Sequence, residues 1–228
     1  MMVEPAQMIV TRTTAGTTYE RELAEKYGVV VGVDEVGRGC LAGPVTVGVA
    51  TMGCGEVPAG LTDSKLLSPS TRARLIGQVS AWGTPCAVAS ATAEEIDRWG
   101  IIHALRLAGW RALESLYRRG LTPGVILLDG SHDWLSADLM SAEQCPIELP
   151  PVITRVKADR DCAVVAAASV LAKVSRDAVM TTVGDPGYRW ESNKGYGSCA
   201  HRQAIELLGI HPLHRHTWNL GAPATTGQ

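Results

Sequence analysis

The sequence predicts an α/β domain built on a mixed β-sheet with helices packed against it. Three observations carry that expectation. Five short runs have strand length, the first of them β-branched, and longer segments between them carry apolar residues at helical spacing. The runs read in the order β-β-β-α-β-α-β-α, three consecutive strands followed by alternating helices and strands. With 228 residues, 46% of them hydrophobic and 19% charged, the chain is long enough for one domain with an appended helical segment.

Residues 28–33 form the first strand-like run and end at Asp34 and Glu35; residues 45–51 form the second. Between them lies a glycine-dense connector at 36–44, whose small residues let backbone N–H groups approach a ligand. After a loop at 61–69, helical spacing covers 70–82, and 85–91 reads as a third strand. One long helix is expected at about 93–119, with apolar Ile96, Trp99, Leu105, Leu107, Trp110, Leu113 and Leu116, stopped by Gly120. The fully apolar run 125–128 suits a central strand and ends at Asp129. A fifth strand at 152–156 leads into Lys157-Ala158-Asp159. The Ala- and Val-rich helix at about 160–180 is expected to be enclosed on most sides. A glycine-rich stretch at 184–197 precedes a last helix at about 200–208. The expected organisation is a partly flexible N-terminal segment at 1–27, a main domain at 28–183, a loop and helical extension at 184–221, and a flexible tail at 222–228.

No apolar stretch approaches the roughly 20 residues needed to cross a bilayer, so no membrane contact is expected. The first eighteen residues lack a basic region followed by an apolar one, and a cytoplasmic protein is the expectation. Six scattered cysteines without a C-x-x-C pair read as free thiols. The run His211, His214 and His216 reads either as a metal-binding segment or as a polar surface segment. Net charge is −2, a weak signature for nucleic-acid binding, but its distribution is uneven. Residues 154–218 hold nine Lys/Arg against six Asp/Glu, and the remainder holds twelve against seventeen.

The acids at strand ends are the most informative feature. Asp34 and Glu35 follow the first strand, Asp129 a central one and Asp159 the fifth, and the ends of neighbouring strands converge in space. A single Asp after a strand is commonly a turn or helix cap. Four together repel one another unless a cation neutralises them, and hard cations such as Mg²⁺ or Mn²⁺ prefer oxygen ligands. Two such ions about 3.5–4 Å apart suit in-line phosphodiester hydrolysis.

At this point the sequence resembles the type 2 ribonuclease H family, ribonuclease HII. The matching stretches are Gly32-Val33-Asp34-Glu35-Val36-Gly37-Arg38-Gly39, Leu41-Ala42-Gly43-Pro44-Val45, Asp63-Ser64-Lys65, Leu128-Asp129-Gly130, Lys157-Ala158-Asp159, the helix segment 166–177, and Asn193-Lys194-Gly195-Tyr196-Gly197. They follow the family's order from residue 28 to about 218. The resemblance implies a ribonuclease H-like mixed five-stranded sheet flanked by helices, with a C-terminal helical extension. It implies metal ligation and catalysis by Asp34, Glu35, Asp129 and Asp159, with Mg²⁺ or Mn²⁺. It also implies that Gly37, Arg38 and Gly39 contact the 2′-hydroxyl of the ribonucleotide before the cut, largely through backbone groups; from the residues alone this loop reads equally as a tight turn or an anion site. Tyr196 is expected to pack on the sugar after the cut. Ser64 and Lys65 are expected to hold backbone phosphates, with Asp63 orienting their loop. Lys173 and Arg176 either face the nucleic acid or pair with Asp177. Cys40 departs from the proline or other small residue common there.

The expected activity is a two-metal endoribonuclease that cuts the RNA strand of RNA–DNA hybrids and nicks 5′ to ribonucleotides in duplex DNA. A monomer is expected, with a sliding-clamp or polymerase contact open. Two other readings compete: a catalytically inactive hybrid-binding protein, and a metal-dependent small-molecule phosphatase. The phosphatase reading gives no reason for the Gly-Arg-Gly and Lys-Gly-Tyr-Gly loops.

Overall fold

The computed structural model describes residues 14–136, 145 and 147–221. The tail expected at 222–228 and residues 1–13 of the N-terminal segment lie outside the described residues. At the centre runs the strand Val30–Val36 (β1), flanked on one side by Val45–Thr51 (β2) and on the other by Val125–Asp129 (β4). Cys86–Ala91 (β3) and Val152–Arg155 (β5) form the edges, so the order is β3-β2-β1-β4-β5. β1 pairs antiparallel with β2 and β2 antiparallel with β3, whereas β1–β4 and β4–β5 are parallel. This is the mixed five-stranded sheet that the sequence predicts.

The period-two alternation of strands splits the core between the two faces of the sheet. Val31, Val33, Val45, Val47, Val49, Ile126 and Leu128 pack with the helix Ile101–Tyr117 (α4). Val30, Ala50, Val125 and Leu127 pack with the helix Ala163–Thr182 (α6). α6 sits unusually close to the sheet because its first half is Ala-rich and because Gly32 and Gly48 stand beneath it. A Cβ on Gly32 would strike the Val164 backbone, and one on Gly48 the Ala168 carbonyl. A third cluster joins Leu41, Ala42 and Met180 to Tyr188, Trp190, Ala204, Ile205 and Leu220, and so ties residues 184–221 onto the sheet's connector.

Several boundaries differ from expectation. The helix expected at 93–119 is two helices, Ala93–Trp99 (α3) and α4, because Gly100 takes φ 80° and ψ 161° and interrupts the ladder. The helix expected from about 160 begins at Ala163, after a short turn of helix Ala158–Asp161 (α5), because Cys162 is extended. The helix Pro69–Trp82 (α2) separates β2 from β3, so these strands are not consecutive, and no helix lies between β4 and β5 among the described residues. Within the segment 1–27, Thr18–Tyr27 forms a helix (α1) whose buried Glu20 accepts from the Val164 N–H at 3.2 Å, which caps the start of α6. The chain continues through the short helix Trp190–Asn193 (α7) to Cys199–Leu208 (α8), which Ser198 caps through the His201 N–H. No described helix is long and apolar enough to cross a membrane.

Candidate active site

β1 does not end before the acids: Asp34 and Glu35 are part of it, paired with Gly48 and Val47 of β2. Because β4 runs parallel with Val33 opposite Leu128, Asp34 and Asp129 fall at the same level of adjacent strands. Asp159 sits in the turn that follows β5, where its N–H donates to Asp129 Oδ1 at 3.3 Å. The turn is tight because Lys157 adopts the left-handed conformation, with φ 62°. Topology therefore brings acids from three places in the chain to one end of the central strands.

Their electrostatics match a shared field. Burial, then the neighbouring Glu35, pushes the Asp34 carboxyl well above the usual range. Burial likewise raises Glu35, against the pull of Arg38 3.7 Å away, and Asp129 adds to the repulsion. Asp159 is pushed up to about 6 by burial and by Asp129 and Asp63. Lys65 lies across the group with its Nζ 3.8 Å from Asp159 Oδ2; burial would lower its pKa, but Asp34, Asp63 and Asp159 together hold it above the ordinary lysine value. The acids share this field without forming a closed cage: among the described residues no three His, Cys, Asp or Glu groups stand as a ready-made metal site.

The remaining residues singled out by sequence divide into two sets. Lys65, Arg38 and Tyr196 keep exposed side chains, the first two beside the acids. Asp63, buried, accepts from the Lys65 N–H at 2.8 Å and fixes the turn Ser64–Leu66, as expected of it. Ser64 points inward: its hydroxyl meets that of Ser169 at 2.8 Å, and Ser169 in turn serves the Asp34 carboxylate. Its side chain is thus a strut beneath the acids rather than a phosphate contact. Lys173 takes the ion-pair option, with its Nζ 2.7 Å from Asp177, and remains 5.7 Å from the centre of the Tyr196 ring. Arg176 is fully buried and donates to the carbonyls of Pro44, Ala42 and Lys194, so it ties the two glycine loops together instead of facing a strand of nucleic acid.

Gly37 (φ 86°) and Gly195 (φ 81°) occupy conformations that suit glycine, and a Cβ on either would collide with Arg176 or the Ala42 carbonyl. The connector 40–43 is laced on both sides. Leu41 and Ala42 donate to the Gly195 carbonyl, Cys40 bridges Tyr196, and Gly43 donates to Leu213 while Arg215 donates to Leu41. Tyr196 is consequently held over Cys40 and Arg176 with its phenol pushed up by burial.

Sequence reasoning passed over Ser169, Arg215 and His201. Ser169 is a polar residue inside an Ala-Val helix, which is a usable signal. Of the run read as surface or metal-binding, only His216 is exposed, and no metal cluster forms among the described residues: His201 and His214 are buried, their Nε2 atoms are 3.1 Å apart, and Trp190 Nε1 donates to His201 at 3.2 Å. His214 Nδ1 accepts the His211 N–H, and His201 Nδ1 donates to the Tyr196 carbonyl at 2.8 Å.

The family model for ribonuclease HII matches residues 31–220. A ribonuclease HII of Streptomyces coelicolor is 44% identical over 205 residues, covering 88% of this chain and 82% of that protein. The crystal structure of ribonuclease H2 from Pyrococcus horikoshii OT3 superposes with a TM-score of 0.65 at 28% identity, covering 84% of this chain and 94% of that one. The ribonuclease HII of Archaeoglobus fulgidus, solved in complex with PCNA, superposes with a TM-score of 0.59 at 25% identity, covering 83% and 95%.

Proposed function

The chain belongs to the ribonuclease HII family of metal-dependent endoribonucleases, and from that premise we propose that it incises duplex DNA on the 5′ side of embedded ribonucleotides and hydrolyses the RNA strand of RNA–DNA hybrids. The products are 3′-hydroxyl and 5′-phosphate ends, and the roles are ribonucleotide excision and RNA primer removal. The observation that carries the reading is the shared field of Asp34, Glu35, Asp129 and Asp159 at the end of β1, β4 and the turn after β5.

The residues fit divalent cations by donor chemistry. All four offer carboxylate oxygens, and their mutual repulsion and burial make an added positive charge stabilising. Asp34, Glu35, Asp129 and Asp159 are the groups that would hold Mg²⁺ or Mn²⁺. When bound, two such ions supply an activated water and stabilise the leaving oxygen. The protein's own part is positional. Lys65 places a point charge beside the acids, where a backbone phosphate of the strand lies in this reading. The Gly37–Gly39 backbone meets the 2′-hydroxyl, the group that separates RNA from DNA. The Tyr196 ring, held from below by Cys40 and Arg176, packs on the following sugar. An inactive hybrid-binding protein would gain nothing from gathering four acids, two of them buried, at one place. The Archaeoglobus relative's complex with PCNA supports a sliding-clamp contact for this chain as well.

The test is a labelled duplex with one ribonucleotide, incubated with Mg²⁺ or Mn²⁺. A single nick 5′ to the ribonucleotide, leaving a ligatable 3′-hydroxyl and 5′-phosphate pair, is expected. An uncut duplex under both ions would remove the reading.

A further inference from the structure

Arg215 is fully buried, and each of its donors ends on a backbone carbonyl of the glycine loop. Nη2 donates to Gly37 at 2.6 Å and to Gly43 at 3.2 Å, Nη1 to Arg38 at 2.8 Å, and Nε to Gly43 at 3.3 Å. No carboxylate pairs with it among the described residues. Burial lowers its pKa to about 10, which still leaves it charged at neutral pH. Asp97 acts on it only from beyond ion-pair distance, and a buried cation without a contacting counter-charge is costly. What this arginine does fix is the orientation of the loop's peptide units.

In a trans peptide the C=O of one residue and the N–H of the next point in opposite directions. With the Gly37 and Arg38 carbonyls turned onto the guanidinium, the N–H groups of Arg38 and Gly39 are turned away from it. Neither N–H has a hydrogen-bond partner among the described residues. The cation also polarises both peptide units, which strengthens those N–H groups as donors. A planar fork fixes several carbonyls at once, whereas a lysine ammonium is a single rotating point charge.

We propose that Arg215 is a positioning residue for ribonucleotide discrimination, aiming the Arg38 and Gly39 N–H groups at the 2′-hydroxyl through its grip on the Gly37 and Arg38 carbonyls. The inference rests on the reading that this loop meets the ribose. It places the determinant of sugar choice partly in the C-terminal segment, on a side chain that itself touches no substrate.

The experiment measures the affinity of the whole protein, in EDTA so that nothing is cut, for a duplex with one ribonucleotide and for the same duplex entirely of DNA. The wild-type protein is expected to prefer the first. Arg215→Lys is expected to bring the ratio of the two affinities down about tenfold, toward one, with affinity for the DNA duplex unchanged. Glu20→Gln, which loosens α1 on α6 far from the loop, is expected to keep the wild-type ratio. A wild-type protein without preference defeats the reading of the loop itself. Preference retained in Arg215→Lys, or lost equally in Glu20→Gln, overturns the role of Arg215. Amide exchange in the unmodified protein tests the same aim without a variant. Fast exchange at Arg38 and Gly39, slowed by the ribonucleotide duplex and not by the DNA duplex, is expected; protected amides in the free protein would overturn it.

Discussion

A carboxylate as deeply placed as Asp34 is difficult to ionise, and its acid neighbours Glu35 and Asp129 make it more so. Asp34→Asn removes that repulsion while keeping the shape. It is therefore expected to abolish metal-dependent cleavage, by about 10²-fold or more, without lowering the melting temperature. Cleavage assays beside a calorimetric scan check both halves; a less stable but active variant would contradict the assignment. The four acids are legible in the sequence because each follows an apolar run or lies within a recognisable stretch. Ser64 and Arg176 are legible as positions but not in direction, since nothing local says that one hydroxyl turns toward Ser169 or that one guanidinium is sealed beneath two loops. Arg215 was hidden for a related reason: its partners are carbonyls, which leave no mark in residue type.

At the scale of elements, the closeness of α6 to the sheet decides where Ser169, Lys173 and Arg176 stand, since they follow one another along one stripe of that helix. Gly48→Ala would drive a methyl group into the Ala168 carbonyl, a backbone atom that has no rotamer to yield. A loss of about 1–3 kcal/mol is expected, or several degrees in melting temperature at about 2–4 °C per kcal/mol, measured by scanning calorimetry. An unchanged transition would mean that the helix shifts at little cost. Strands were legible from their β-branched runs to within a residue or two, apart from the end of β1, where polar Asp34 and Glu35 disguise a strand that continues. The break at Gly100 escaped because helical apolar spacing continues on both sides of it. α1 escaped because its residues are polar, and the one that matters, Glu20, is an acid buried against another helix's first turn.

The C-terminal segment is held together by its histidine relay, in which buried neutral rings link α8, the segment around His214 and the Tyr196 carbonyl, and that segment is laced onto the sheet's connector. Burial, then the neighbouring His201, lowers the His214 pKa from 6.5 to about 4. A folded-state value below the unfolded one means that the unfolded chain takes up the proton first, so this contribution is present above pH 6.5 and is lost as pH falls toward 4. On the order of 3 kcal/mol is at stake, by the conversion of about 1.4 kcal/mol per unit. Denaturant midpoints measured from pH 7 to 4 should fall accordingly, and His214→Gln should flatten the slope; a slope identical in the two proteins would contradict it. The mixed sheet was legible at this scale, but the long-range lacing of residues 40–43 by 195–196 and 213–215 was not, because it is made of backbone bonds between segments of unremarkable composition.

Arg215 stands 178 residues beyond Gly37 along the chain. During synthesis the sheet and its acids therefore emerge from the ribosome well before the arginine that fixes the glycine loop. If Arg215 aims the loop as proposed, a nascent chain halted before residue 215 would carry the four acids beside an unfixed glycine loop, and sugar selectivity would be among the last properties to form.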